Sequence, residues 1–156
     1  MSIYAPNTTV SEEKSRVEIE QTLKKYGADQ FVYGSDQEMA FILFRMNEKQ
    51  VRFIVKYPKF DDFKFTPTRQ RRSPDSQKSA WEQAKRSSWR VLLLVIKAKL
   101  EAVESKIVSF EEEFMANIML PNRLTVGEYL LPQIEQAYID GKMPPLLPMF
   151  GGNHNG

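Results

Sequence analysis

Asp62-Phe63-Lys64 has the acid-x-lysine spacing that hydrolytic metal sites use: the carboxylate would hold Mg²⁺ and the lysine would help activate a water. Asp36, Glu38 and Glu20 are the acids available to complete such a site. A three-residue match of this kind arises often by chance, and here it falls in a stretch with no regular period, so a solvated loop carboxylate is the better reading of Asp62. Phe110-Glu-Glu-Glu-Phe114 is a second acidic candidate. Placed behind Ser109, it reads as the first turn of a helix, where carboxylates offset the positive end of the dipole, rather than as a metal cluster. The chain has no cysteine and a single histidine, His154, in the tail GGNHNG. Thiolate zinc sites, cysteine nucleophiles and disulfides are thereby excluded, and a histidine-based triad would rest on one residue near the terminus. Neither G-x-x-x-x-G-K-[ST] nor G-x-G-x-x-G occurs among the seven glycines, so no phosphate-binding loop of those types is present. No catalytic residue, metal or cofactor is assigned.

The residues that do form a pattern are cations. Between Arg45 and Lys99 there are fifteen Lys or Arg against five Asp or Glu, a local balance of +10 inside a chain of net charge +2. The remainder carries seven basic and fifteen acidic residues. Such segregation suits a polyanion, because several cations on one surface displace the counterions of a phosphate backbone. Arg52, Lys56, Arg69, Arg71, Arg72, Arg86, Arg90 and Lys97 are the candidate phosphate contacts, with no element that reads base sequence. The bland alternative is that the same cations pair with acids elsewhere in the fold.

Elements that would position these residues follow from pattern. Ser11, Glu12 and Glu13 look like a helix start, Val17, Ile19, Leu23 and Tyr26 supply its apolar stripe, and Gly27 ends it, giving a helix over 11–26 behind a flexible arm of residues 1–10. Phe31 to Tyr33 form a short strand, and Met39 to Met46, apolar on both faces, a central one. In a third strand Val51, Phe53, Val55 and Tyr57 alternate with Arg52, Ile54 and Lys56, so one face is buried and the other mostly cationic. Residues 59–77 read as an irregular connection in which Phe60, Phe63 and Phe65 tuck onto the core or add a strand while Arg69-Gln-Arg-Arg72 points outward. From Ser76 to Ile107 the period is helical. Trp81, Trp89, Leu92, Ile96, Leu100, Val103 and Ile107 share one side, which assigns both tryptophans to the core rather than to base stacking. Arg86, Arg90 and Lys97 project from a common flank, while Lys85 and Lys99 fall near the apolar stripe and must snorkel or pair. Ser109 and Thr125 open two shorter helices, the second with Glu128 in capping-box position, Pro132 inside and Gly141 at its end. Leu146, Leu147 and Phe150 then look extended against the body or a partner, before a disordered tail over 151–156. The expectation is one α+β domain over residues 11–150, α-β-β-β-α-α-α, with a three-stranded antiparallel sheet backed by helices.

The runs SRVEIEQTLKKYGADQFVYG, RFIV, SAWEQAKRSSWRVLLLVIKAKLEAVE, FEEEF and LTVGEYLLPQIEQAY with MPPLLP make nearly the whole chain similar to a family of small proteins of tailed bacteriophages and prophages. That resemblance implies a viral or prophage origin. In element order alone the chain is similar to double-stranded-RNA-binding domains and to the β-β-β-α core of phage single-strand annealing proteins, without the GxxH-type loop or KKxAK helix start of the former. The D-x-K pair bears a weak likeness to restriction-endonuclease-like nucleases. The expected function is non-enzymatic binding of nucleic acid, DNA rather than RNA, in phage replication or recombination. An interaction module that inhibits or redirects a host nucleic-acid enzyme or defence system, and a Mg²⁺-dependent nuclease, are the alternatives. The N-terminus lacks a secretion signal, and the most apolar run, Val91 to Ile96, is too short to span a bilayer. A soluble protein of the cytoplasm, or of the host cytoplasm if viral, is expected, with a homo-oligomer as one possible state.

Overall fold

A computed structural model of the chain describes residues 4–143, with side chains from Glu12 onward. Leu146, Leu147, Phe150, His154 and the tail over 151–156 lie outside the described residues. The order is helix α1 (Tyr4–Lys25), strands β1 (Asp29–Ser35), β2 (Met39–Met46) and β3 (Lys49–Lys56), a 3-10 turn (Phe60–Phe63), then α2 (Pro74–Glu104), α3 (Phe110–Phe114), a second 3-10 turn (Met115–Asn117) and α4 (Val126–Asp140). This is the α+β fold expected from the sequence.

The strands form an antiparallel meander in the order β1-β2-β3. Asn47 and Glu48 both take positive φ between β2 and β3, the geometry of a two-residue hairpin whose twist matches its strands. The register places Ile42 opposite Phe53 and Phe44 opposite Val51, so alternate residues of the two strands share one buried face. On that face lie Ala40, Ile42, Phe44, Val51, Phe53 and Val55, and against it pack Ile19 and Leu23 of α1 and Trp89, Leu92, Leu93, Ile96 and Leu100 of α2. Lys97 bonds to Glu18 and Tyr26 to Glu104, so α1 and α2 run side by side in the same direction. Three antiparallel passes carry the chain to the end of the sheet opposite the start of β1, where α1 began, so α2 sets out in the direction of α1.

Three local expectations are corrected. Helix α1 begins at Tyr4, so Ser11 lies inside it rather than capping it; Pro6 sits in the first turn, where a missing N–H costs nothing. Val17 is exposed because its angular position departs from that of Ile19 and Leu23. Ile107 lies beyond the end of α2 and is exposed. The other starts follow their caps: Ser73 and Ser109 accept from the backbone of Ser76 and Glu112, and Thr125 with Glu128 forms the full capping box.

The opposite face of the sheet carries Val32, Leu43, Phe41, Ile54 and Met39. Gly34 stands opposite Phe41, whose ring lies so close that a Cβ at position 34 would come within 2.3 Å of it. Gly34→Ala forces the ring off β1 and is expected to cost about 1–3 kcal/mol of unfolding free energy, measured by urea titration; an unchanged midpoint would show that Phe41 repacks freely.

Candidate nucleic-acid interface

The basic segment is divided by its partners. Six of its cations make ion pairs with described residues: Arg45 with Asp29, Lys49 with Glu111, Arg52 with Glu128, Lys64 with Asp61, Lys97 with Glu18 and Lys99 with Glu113. Hydrogen bonding to Arg45 holds the Asp29 carboxyl below its usual range. Glu111 is lowered by its own backbone N–H at the start of α3 and by Lys49. The FEEEF acids thus serve a helix start and two neighbouring cations.

Of the eight predicted phosphate contacts, Arg52 and Lys97 are among the paired ones. Arg72 turns inward: its guanidinium donates to the carbonyls of Phe63 and Phe65 and its N–H to Lys64, closing a small hairpin in which Phe65 bridges Arg71. Arg86 is half-buried, with Nη1 enclosed and unpartnered among the described residues. Arg90 is exposed, as are Lys56, Arg69 and Arg71, and none of these four makes an ion pair with a described residue. On α2, however, Arg86, Arg90 and Lys97 lie about 140–180° around the axis from Trp81. That flank therefore does not share a surface with the start of the helix.

A different set converges there. Lys56 and Lys59 at the end of β3, Lys78 in the second turn of α2, and the rings of Tyr57, Phe60 and Trp81 line one open cleft of about 770 Å³. Glu38 and Asp61 also line it, Asp61 carrying Lys64 as its partner. The local sequence explains the assembly. Pro58 ends the strand, the 3-10 turn swings Phe60 back so that its ring meets Trp81 edge-on at 5.4 Å, and Trp81 Nε1 donates to the Pro58 carbonyl. Gln77 donates to the Phe60 carbonyl, fixing the turn to α2. Lys85 Nζ sits 4.2 Å from the Trp81 ring centre and 5.1 Å from that of Tyr57, the stem packed and the charge over the aromatic faces.

The two tryptophans therefore part company. Trp89 is buried and donates to the Tyr57 hydroxyl, as its spacing predicts, whereas Trp81 is half-buried and belongs to the cleft. Phe60 and Phe65 are exposed rather than tucked onto the core. Lys59 and Lys78, unsuspected in the sequence, join the site because a turn brings them beside Lys56; the Pro58 stop and Phe60 offered the only signal.

The acids of the nuclease pattern stay apart. Asp36 accepts from the backbone of Glu38 and Met39, Glu20 accepts from Tyr33 and pairs with Lys24, and Asp62 is exposed in the 3-10 turn. Among the described residues no cluster of three or more potential metal ligands occurs. No helix among them is long and apolar enough to cross a membrane.

Tyr33, opposite Ile42 in the sheet, is half-buried and donates to Glu20 at 3.1 Å. Burial, then that bond, pushes its phenol above the usual range. A raised pKa in the folded state stabilises below the unfolded value near 10 and is lost as pH rises beyond it. Tyr33→Phe is expected to flatten the fall in stability above about pH 10, followed by urea midpoints across that range; an unchanged alkaline slope would assign the effect elsewhere.

Comparison with models of protein families, with curated proteins and with solved structures found no match to this chain.

Proposed function

We propose that this chain binds single-stranded nucleic acid, with the sugar-phosphate backbone along Lys56, Lys59 and Lys78 and a base entering the cleft beside Trp81 and Phe60. One observation carries the reading: three lysines without described ion-pair partners border an open cleft walled by three aromatic rings. Phosphate neutralisation and base stacking are the two terms that single-strand binding needs. Arg69 and Arg71, on the hairpin that follows the cleft's 3-10 turn, extend the track. Arg90, on the far flank of α2, lies outside it. Duplex is disfavoured because a base locked in a stack offers no face to the cleft. In this reading the chain is a non-enzymatic DNA-binding protein in replication or recombination, a setting compatible with the viral or prophage origin that the sequence resemblance implies.

The test is fluorescence anisotropy with labelled oligo-dT, oligo-U and a matched duplex over a salt series. Binding of oligo-dT that weakens steeply with salt and exceeds binding of the duplex is expected. Equal affinity for the duplex, or none for any probe at low salt, overturns the proposal.

A further inference from the structure

Helix α4 carries a broad apolar arc. Val126, Tyr129, Leu130 and Ala137 are half-buried along one stripe, yet no residue of the helix is fully buried. On the adjoining flank Leu131, Ile134 and Tyr138 fall within about 60° of one another and are 64%, 41% and 88% exposed. A fifteen-residue helix is marginal by itself in water. Its main packing partner among the described residues is the short turn Met115–Asn117, where Gly127 lies against the Ala116 carbonyl.

The sheet carries a matching surface. Its outer face is apolar along Val32, Met39, Phe41, Leu43 and Ile54, with Val32, Met39 and Ile54 each more than a third exposed. Gly34 lets the Phe41 ring lie across β1, which keeps this face level. Charge is complementary. Within the chain Arg45 is matched by Asp29 and Arg52 by Glu128, which leaves Lys56 without an ion-pair partner among the described residues on the outer face, whereas Val126 to Asp140 holds Glu135 and Asp140 besides Glu128 and no Lys or Arg. Size also matches: α4 is about 22 Å long and the strands about 26 Å. Helix and sheet face are adjacent at one point, where Glu128 in the first turn of α4 pairs with Arg52.

We infer that the partner of α4 is a second copy of this chain. Two copies related by a two-fold axis lay the Leu131/Ile134/Tyr138 face of each α4 on the outer sheet face of the other. The arrangement is isologous, so each apolar surface is covered once and no edge is left to propagate. A stable dimer needs about 1,600 Å² in total, which the two reciprocal helix-on-sheet contacts would supply together. The lysine-lined cleft lies at the start of α2 and shares Met39 and Lys56 with one end of this sheet face.

Sedimentation of the full chain tests it. The wild type is expected as a dimer at micromolar concentration, and Leu131→Asp on the helix or Ile54→Asp on the sheet is expected to weaken dimerisation about tenfold or more while circular dichroism stays native. Should an Asp variant lose its fold, Ile134→Ser on an exposed position gives the same reading with less disturbance. A cysteine pair locates the contact, since the chain has none of its own: Ile54→Cys mixed with Leu131→Cys should form a disulfide between chains, and the double variant should not close within one chain. A monomeric wild type, a dimer unaffected by both surface variants, or an intrachain 54–131 disulfide overturns the inference.

Discussion

Phe114→Ala is expected to remove about 3–5 kcal/mol of unfolding free energy, a large share of the 5–15 kcal/mol that holds a domain of this size. The ring is fully buried, stacks on Phe110 at 4.9 Å and meets Phe53 of β3 edge-on at 6.1 Å. Lys99 lies above it, held by the Glu113 carbonyl and carboxylate. Helix α3 has five residues, too few to be stable without packing, so Phe110 and Phe114 are what seat it. The chain after α3 is laid along β3 through the Val51–Ile118 bridge and the bond from Met119 to Gln50. Losing Phe114 therefore leaves a cavity beside Phe53 and loosens the segment that launches α4. Urea unfolding followed by circular dichroism gives the number. Ile107→Ala, at a position 78% exposed, should stay within about 0.5 kcal/mol. A Phe114→Ala loss under 1 kcal/mol, below the range for a buried Phe, would mean that the cavity collapses or that the α3 contact contributes little.

The elements were legible where the determining signal is local. Alternation through Val51, Phe53, Val55 and Tyr57 names the buried face of β3 because strand side chains have a period of two, and Ser109, Thr125 and Glu128 mark helix starts because caps act within three residues. The fate of the cations was not legible. Arg52 meets Glu128, Lys97 meets Glu18 and Lys49 meets Glu111 across 62 to 79 positions, distances set by how α1, α4 and the sheet dock and by nothing near the cations themselves. Trp81 shows a related limit. It lies at the margin of the apolar stripe, but past the end of β3, so it meets Phe60, Pro58 and Lys85 where Trp89 meets the core. Helical phase predicts which side a residue takes; how far the opposing layer extends decides whether that side is core or cleft.

Lys56→Ala, Lys59→Ala and Lys78→Ala together are expected to lower affinity for single-stranded DNA about a hundredfold at 0.1 M salt, because each phosphate contact on a single strand contributes about 0.7 to the slope of log affinity against log salt. The slope itself should become shallower by about 2. The three lysines border one cleft and are free of described ion pairs, so their removal exposes no buried acid and should leave the unfolding midpoint nearly unchanged. The hairpin needs separate treatment. Arg69→Ala with Arg71→Ala removes two exposed charges, whereas Arg72→Ala removes the guanidinium that ties Phe63 and Phe65, so only the first pair reports on phosphate contact. Lys97→Ala is the control: it breaks the link to Glu18 on the far flank of α2 and should leave binding within about twofold, the effect of a distant surface charge. Trp81→Phe adds an independent signal, since Trp89 is buried and Trp81 lines the cleft; quenching of tryptophan emission on binding should disappear in that variant. If the lysine triple variant binds like the wild type while Arg90→Ala and Lys97→Ala do not, the track runs along the α1 side of α2 and the cleft has another use.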